Sequence, residues 1–156
     1  MVVSLPPYLM LADEAAYQIH FMNNFVKADV RTHHGIRVHF KAADFGHAFY
    51  ESTQRNGVKD QFSQDRSQRM DWIIHTLADP NADWYQGWIK ARKVYDTTRS
   101  VAVACGDFVV VLKFRARRDG QIVANFVTCY FADNSINKIR QSPAWTLEEC
   151  ENALGI

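Results

Sequence analysis

The side chains best equipped for chemistry are a histidine, a short run of cations and a set of hydroxyls. His47 stands in the segment DFGHAFYES, two positions from Phe45. On a helix it therefore leaves the apolar stripe and shares a face with Asp44 and Glu51. Imidazole is the side chain best suited to exchange a proton at neutral pH. Arg66 and Arg69 fall on one helical face, with Lys59 upstream. Such a fork of N–H donors is what a phosphate ligand needs. On the long segment 107–131, Lys113, Arg115, Thr128 and Tyr130 fall on one side by strand alternation, two cations beside two hydroxyls. Each group has a plainer alternative. His47 can be a surface histidine near a helix end, the arginines a solvated helical face, and the polar side of 107–131 the wet face of an antiparallel sheet.

Other chemistries find no pattern. The chain has no phosphate-binding glycine loop, no Cys-His metal spacing, no His-Glu-x-x-His helix and no Gly-x-Ser-x-Gly elbow. His33 and His34 are adjacent, which suits one metal ion poorly unless a third ligand arrives from elsewhere. No metal and no cofactor is expected.

The elements that must position these groups read as helices followed by a β-meander. The spacing predicts a helix over 9–27, with Asp13 and Glu14 early and Lys27 late, as the helix dipole favours. A turn at Thr32–Gly35 precedes a half-buried strand over 36–41, with Ile36, Val38 and Phe40 on one side and Arg37, His39 and Lys41 on the other. Asp44 is expected to cap a short helix burying Phe45, Ala48 and Phe49. A second helix is expected from Ser63, its N-cap, to Leu77, with Met70, Ile73, Ile74 and Leu77 as its apolar stripe. Trp84, Tyr85 and Trp88 lead into a strand over 88–96, and another strand covers 100–104. Gly106-Asp107 then turns into one long hairpin, 107–117 against 121–131, closed by Asp119-Gly120 as a two-residue turn. In that register Arg118 faces Gln121. The core face then carries Phe108, Val110, Leu112, Phe114, Val127, Cys129 and Phe131, and the other face Val109, Val111, Lys113, Arg115, Phe126, Thr128 and Tyr130. A short helix over 135–140 follows, Pro143 breaks the chain, and the tail around Trp145 and Cys150 receives no assignment. This order defines an α+β chain read as a single domain, 1–156, with helices packed on an antiparallel meander.

Composition narrows the classes further. The 156 residues include 18 basic and 17 acidic side chains, a net charge of +1. Bulk charge thus gives no case for nucleic-acid binding, which would have to rest on local clustering. No apolar run reaches membrane-spanning length. The start, MVVSLPPYLM, lacks the features of a secretory leader. Cys105, Cys129 and Cys150 are odd in number and form no disulfide framework, so free thiols and a cytoplasmic setting are expected.

HAFY at His47–Tyr50, FSQDRSQRMDWI at Phe62–Ile73, HTLADP at His75–Pro80 and the hairpin VVVLKFRARRDGQIVANFVTCYF together resemble a nuclease group. That group is the barnase–EndoU–colicin–RelE (BECR) fold, in its phage-borne branches, the PBECR domains. The resemblance covers about residues 36–143. It implies metal-independent RNA cleavage by attack of a 2′-hydroxyl on the adjacent phosphate, in a phage or toxin effector. It would give proton transfer to His47 and phosphate binding to Arg66, Arg69 or Lys113. Thr128 and Tyr130 would hydrogen-bond the phosphate or relay a proton. The partner would be RNA, with tRNA one candidate. Two departures stand against it: many phage relatives are tails on larger structural proteins, whereas this chain is read as standing alone, and its net charge is near zero. Two other functions compete. One is a non-catalytic module on the same fold that binds a protein through Trp84, Tyr85 and Trp88. The other is a small-ligand-binding α+β protein.

Overall fold

The computed structural model describes residues 5–156; residues 1–4, the start of the segment read above for leader features, lie outside the described residues. The fold is α+β. Its centre is a six-stranded sheet built from β1 (Val30–Arg31), β2 (Arg37–His39), β5 (Asp83–Tyr85), β8 (Val101–Cys105), β9 (Phe108–Ala116) and β10 (Ile122–Phe131). The spatial order is β1-β2-β10-β9-β8-β5. All neighbours are antiparallel except β2 and β10, which run parallel. Two small two-stranded ladders lie outside it: β3 (Tyr50–Glu51) with β4 (Gln61–Phe62), and β6 (Gly87–Ile89) with β7 (Val94–Asp96).

Most of the helices cover one face, and α5 (Ile136–Ile139) packs on part of the other. Asp13 caps α1 (Glu14–Phe21) by accepting from the Ala16 N–H at 2.9 Å, and a π turn, Met22–Val26, continues it. The helix starts later than the periodicity predicts, because residues 9–12 are held by other bonds, among them Leu9 N–H to the Gln68 carbonyl at 2.7 Å. Asp44 does not cap α2 (Asp44–Ala48). Its carboxylate turns back to the Lys41 N–H at 2.8 Å, and Ala43 holds the cap position. The expected helix from Ser63 is two helices, α3 (Gln64–Ser67), capped by Ser63, and α4 (Met70–Ala78), separated at Gln68-Arg69. After α5 (Ile136–Ile139), the tail forms α6 (Leu147–Leu154). Thr146 caps α6, its hydroxyl accepting from the Glu149 N–H at 3.3 Å, and Gly155 ends it at φ 77°. Phe21, Phe25, Phe45, Phe49, Ile73 and Leu77 from these helices bury against Val38, Phe40, Val110, Leu112, Phe114 and Phe126 from the sheet. Within this core Phe40 stacks on Phe126 at 4.8 Å and Phe114 on Trp145 at 5.0 Å.

The long hairpin forms where alternation places it, with two corrections. Its loop holds three residues, not two. Arg117 N–H bonds the Gln121 carbonyl at 2.8 Å, and Gly120 takes φ 83°. A left-handed glycine at that point is the usual end of a three-residue hairpin loop. Further along, a bulge at Val127 shifts the register, so that Phe126 pairs Leu112 while Thr128 pairs Val111. A bulge residue swaps the faces on either side of it. Phe126 is therefore core and Val127 is exposed, the reverse of the expected assignment. Phe131 is also exposed at 45%. Phe114 and Lys113 keep their expected faces, buried and exposed. The expected strand over 88–96 is the hairpin β6–β7, folded back at Lys90–Lys93, with Lys93 at φ 52°. All three cysteines are free and buried. No described helix is long and apolar enough to cross a membrane.

Candidate functional site

The second face of the sheet is covered at one end, where Ala132 and the α5 residue Ile136 bury against Ala102, Ala104 and Val109, and is open towards the 117–121 loop. Alternation decides what it shows. Val38 of β2 and Phe40 just after it enter the core, so Arg37 and His39 face outward. On β10, Ala124 and Phe126 are core, so Asn125 faces outward; on β9, Leu112 and Phe114 are core, so Lys113 and Arg115 do. Register then aligns them. His39 pairs with Asn125, and Asn125 pairs with Lys113, giving one cross-strand row. Neighbouring strands lie about 4.8 Å apart, so these side chains are adjacent. Arg37 and Arg115 flank the row two residues away on the same face, and Arg31 stands opposite Arg37.

Charge gathers at this end. Arg31, Arg37, Lys113, Arg115, Arg117 and Arg118 stand against Asp29, Asp119 and Glu151, whereas the chain as a whole is nearly balanced. Asp29 binds Arg31 at 3.1 Å and reaches Arg37 only at 3.8 Å. Arg37 Nε is buried and makes no hydrogen bond. A basin of about 290 Å³ is lined by Arg31, His34, Arg37, Arg117, Gln121 and Val123, among others. Burial holds the His39 imidazole below its ordinary 6.5, and the guanidinium groups of Arg37, Arg115 and Arg117 push it the same way; Asp29 opposes them. His39 is therefore neutral at pH 7 and can accept a proton.

Beyond the bulge the face changes character. Thr128 and Tyr130 continue outward beside Val111 and Val109. Tyr130 lines a cavity of about 400 Å³ with Trp88, Tyr95, Ser100, Lys138 and Ser142. Trp88 and Tyr95, cross-strand partners on β6–β7, meet edge to face at 5.0 Å and are both exposed. Burial pushes the Tyr130 phenol up, so it keeps its proton at neutral pH. Arg140 fastens the segment after β10 to the sheet edge, through Asp83 at 2.9 Å, the Tyr85 hydroxyl at 3.1 Å and the Gly106 carbonyl at 2.8 Å.

The structure divides the residues singled out from sequence. Lys113, Thr128 and Tyr130 share the open face. His47, Arg66 and Arg69 do not. His47 is exposed on α2, a helix packed on the covered face through Phe45 and Ala48. Arg69 lies over the rings of Tyr8, Trp72 and Phe131 at 5.6, 5.6 and 5.2 Å and donates to the Asp65 carbonyl. Arg66 and Arg69 flank Cys129, a core residue whose thiol burial pushes up to about 12. The expected aromatic patch is divided too. Trp84 is buried against His34 and Trp145 at 4.9 Å each, Tyr85 is held by Arg140, and Trp88 is exposed. Arg115 joins Lys113, Thr128 and Tyr130 where alternation places it, and His39 and Arg37 are the additions that the sequence reading lacks. The outward side of 36–41 was legible, but its pairing with β10 was not.

Among the described residues one group could hold a metal ion, His75, Asp79 and Cys105, away from this face. Comparison with protein-family models, with curated proteins and with solved structures finds no match to this chain.

Proposed function

We propose that the chain is a small endoribonuclease, acting in the cytoplasm, that holds RNA along the open face of its sheet. The observation that carries the reading is the row His39–Asn125–Lys113 flanked by Arg37 and Arg115. RNA cleavage by its own 2′-hydroxyl needs a proton acceptor, a proton donor and cations on the developing phosphorane. Neutral His39 takes the proton from the 2′-hydroxyl. The 2′-oxygen bonds to phosphorus, the bond from phosphorus to the 5′-oxygen breaks, and a 2′,3′-cyclic phosphate and a 5′-hydroxyl result. Lys113, across Asn125, gives the leaving 5′-oxygen its proton. Arg37 and Arg115 carry the phosphorane charge, in place of Arg66 and Arg69. Thr128 hydrogen-bonds a neighbouring phosphate. Trp88, Tyr95 and Tyr130 offer rings on which an unpaired base can stack. No step uses a metal ion, so cleavage should persist in a chelator.

The test is cleavage of a mixed RNA pool by the purified chain in EDTA, with product ends identified. Expected are cyclic phosphate ends and their loss in His39→Ala. Binding without cleavage would leave a nucleic-acid-binding module on the same face. Neither binding nor cleavage would end the RNA reading.

A further inference from the structure

The end of α4 and the end of β8 meet through three potential ligands that the open face does not use. His75 and Asp79 are four residues apart at the C-terminal end of the helix, and Cys105 is the last residue of the strand. One ligand atom from each lies within 4.8 Å of the other two. Cys105 Sγ is 3.8 Å from Asp79 Oδ2. Zinc bonds of about 2.0–2.3 Å in a tetrahedron separate neighbouring ligand atoms by roughly 3.3–3.8 Å. The cluster is thus near the size of a coordination sphere before any ion contracts it.

Two further observations point the same way. His75 Nε2 is buried and has no hydrogen-bond partner, while the Thr76 hydroxyl beside it faces the Cys105 sulfur. Buried polar atoms are rarely left so, and an ion or a bound water is one of the few things that explains them. Asp79 is also oriented. Its Oδ1 accepts from the Asn81 N–H at 2.8 Å, which leaves Oδ2 turned to the cysteine. A ligand carboxylate held by an outer hydrogen bond is the usual arrangement around a metal.

We propose that His75, Asp79 and Cys105 form a site for a zinc-class divalent ion, with water as fourth ligand, clamping α4 to the end of β8. One thiolate, one imidazole and one carboxylate favour zinc, cobalt or nickel over magnesium or calcium. The thiol proton leaves to solvent as the bond to sulfur forms. The site lies on the covered side, at the sheet end opposite the 117–121 loop, so it plays no part in the proposed RNA chemistry.

Cobalt titration of the full chain, after removal of metals with a chelator, tests this. Expected is one equivalent bound, with a near-ultraviolet thiolate-to-cobalt band and visible bands of four-coordinate intensity, both displaced by zinc. The zinc-loaded chain should melt several degrees above the chelated one. Cys105→Ser should lose the thiolate band, and His75→Gln should weaken binding tenfold or more. The folded wild-type chain showing no thiolate band with excess cobalt would overturn the site. So would a band of full strength in Cys105→Ser, or unchanged affinity in His75→Gln, a milder substitution should Cys105→Ser fail to fold.

Discussion

On β9, Leu112 and Phe114 lie buried under helices while Lys113 and Arg115, alternating with them, stand exposed on the opposite side. β2 repeats the contrast, with Val38 inward and His39 outward, and so does β10, with Ala124 inward and Asn125 outward. The covered face is aromatic and closely interleaved. Phe21 alone meets Phe25, Phe40, Phe45 and Phe49 within 6.0 Å. The open face concentrates cations in a chain of nearly zero net charge. What the difference teaches is that a cluster of outward charged groups here need not be built from loops. Strand alternation supplies it, and the helices on the other side make the strands rigid enough to hold it.

The sharpest way to break this comparison is to exchange the two histidines. His39 on the open face should be needed for RNA cleavage and His47 on the covered side should not. His39→Ala is expected to lower the rate about 10²–10⁴-fold, the usual cost of a proton-transfer group. His47→Ala should leave it within a few-fold. A large loss in His47→Ala with none in His39→Ala would return the site to the helices. The pH dependence adds a sign. His39 titrates below 6.5, so the acid limb of kcat/KM should lie below pH 6.5 and steepen as the imidazole gains its proton. The same depression bears on stability. Between the folded value and 6.5 the unfolded chain binds more protons, so this group's contribution is full above 6.5 and is lost as pH falls through that window.

The next test separates the faces by stability. Phe126 is core and its neighbour Val127 is exposed at the bulge. Phe126→Ala should cost about 3–5 kcal/mol in denaturant unfolding. Val127→Ala should change it by about 0.5 kcal/mol or less. Equal costs would mean that the register lacks its shift at Val127.

How much of this was legible in sequence differs by element. The long hairpin was readable, because alternation over two arms and Asp119-Gly120 between them leave few alternatives. Its loop length was not, since Asp-Gly serves both two- and three-residue loops. The bulge was not either. Val127 sits in a run of strand-forming residues whose pattern carries no mark of the extra residue. The capping of α6 by Thr146, with Glu149 three residues on and Gly155 at its end, is a written signal that was passed over. The candidate face was half legible. Lys113, Thr128 and Tyr130 share one face, as alternation, which is local, places them. His39 needed the parallel pairing of β2 with β10, a contact between positions more than 80 residues apart in sequence, which no local pattern encodes. His47 has the right chemistry and is exposed on a helix, but neither property brings it to the groups it would need.

A smaller effect is expected from the basic end. Removing Arg37 or Arg115 should weaken RNA binding across sequences, about tenfold near physiological salt. Each lost phosphate contact should also lower the slope of log affinity against log salt by about 0.7. Arg66→Ala should leave both unchanged, because it lies on the covered side. Filter binding at several salt concentrations reads all three. An unchanged slope in Arg37→Ala and Arg115→Ala would remove the phosphate track from this face.

The smallest effect should come from Thr128→Val. Thr128 lies just past the bulge, half-buried beside Val111, between the histidine row and the aromatic cavity. Valine keeps the shape and suits a strand, so unfolding should be unaffected. Only one hydroxyl is lost, worth about 0.5–1.5 kcal/mol net, or roughly 2–10-fold in activity. If Thr128 holds a phosphate next to the scissile one, the loss should fall mainly on KM, with kcat nearly kept. A loss as large as that of His39→Ala, carried by kcat, would instead put the reacting phosphate at Thr128 and make Tyr130, which keeps its proton at neutral pH, the donor. No change in either constant would mean that the RNA does not cross from the basic end to the aromatic cavity. The open face would then hold two separate ligand sites rather than one track.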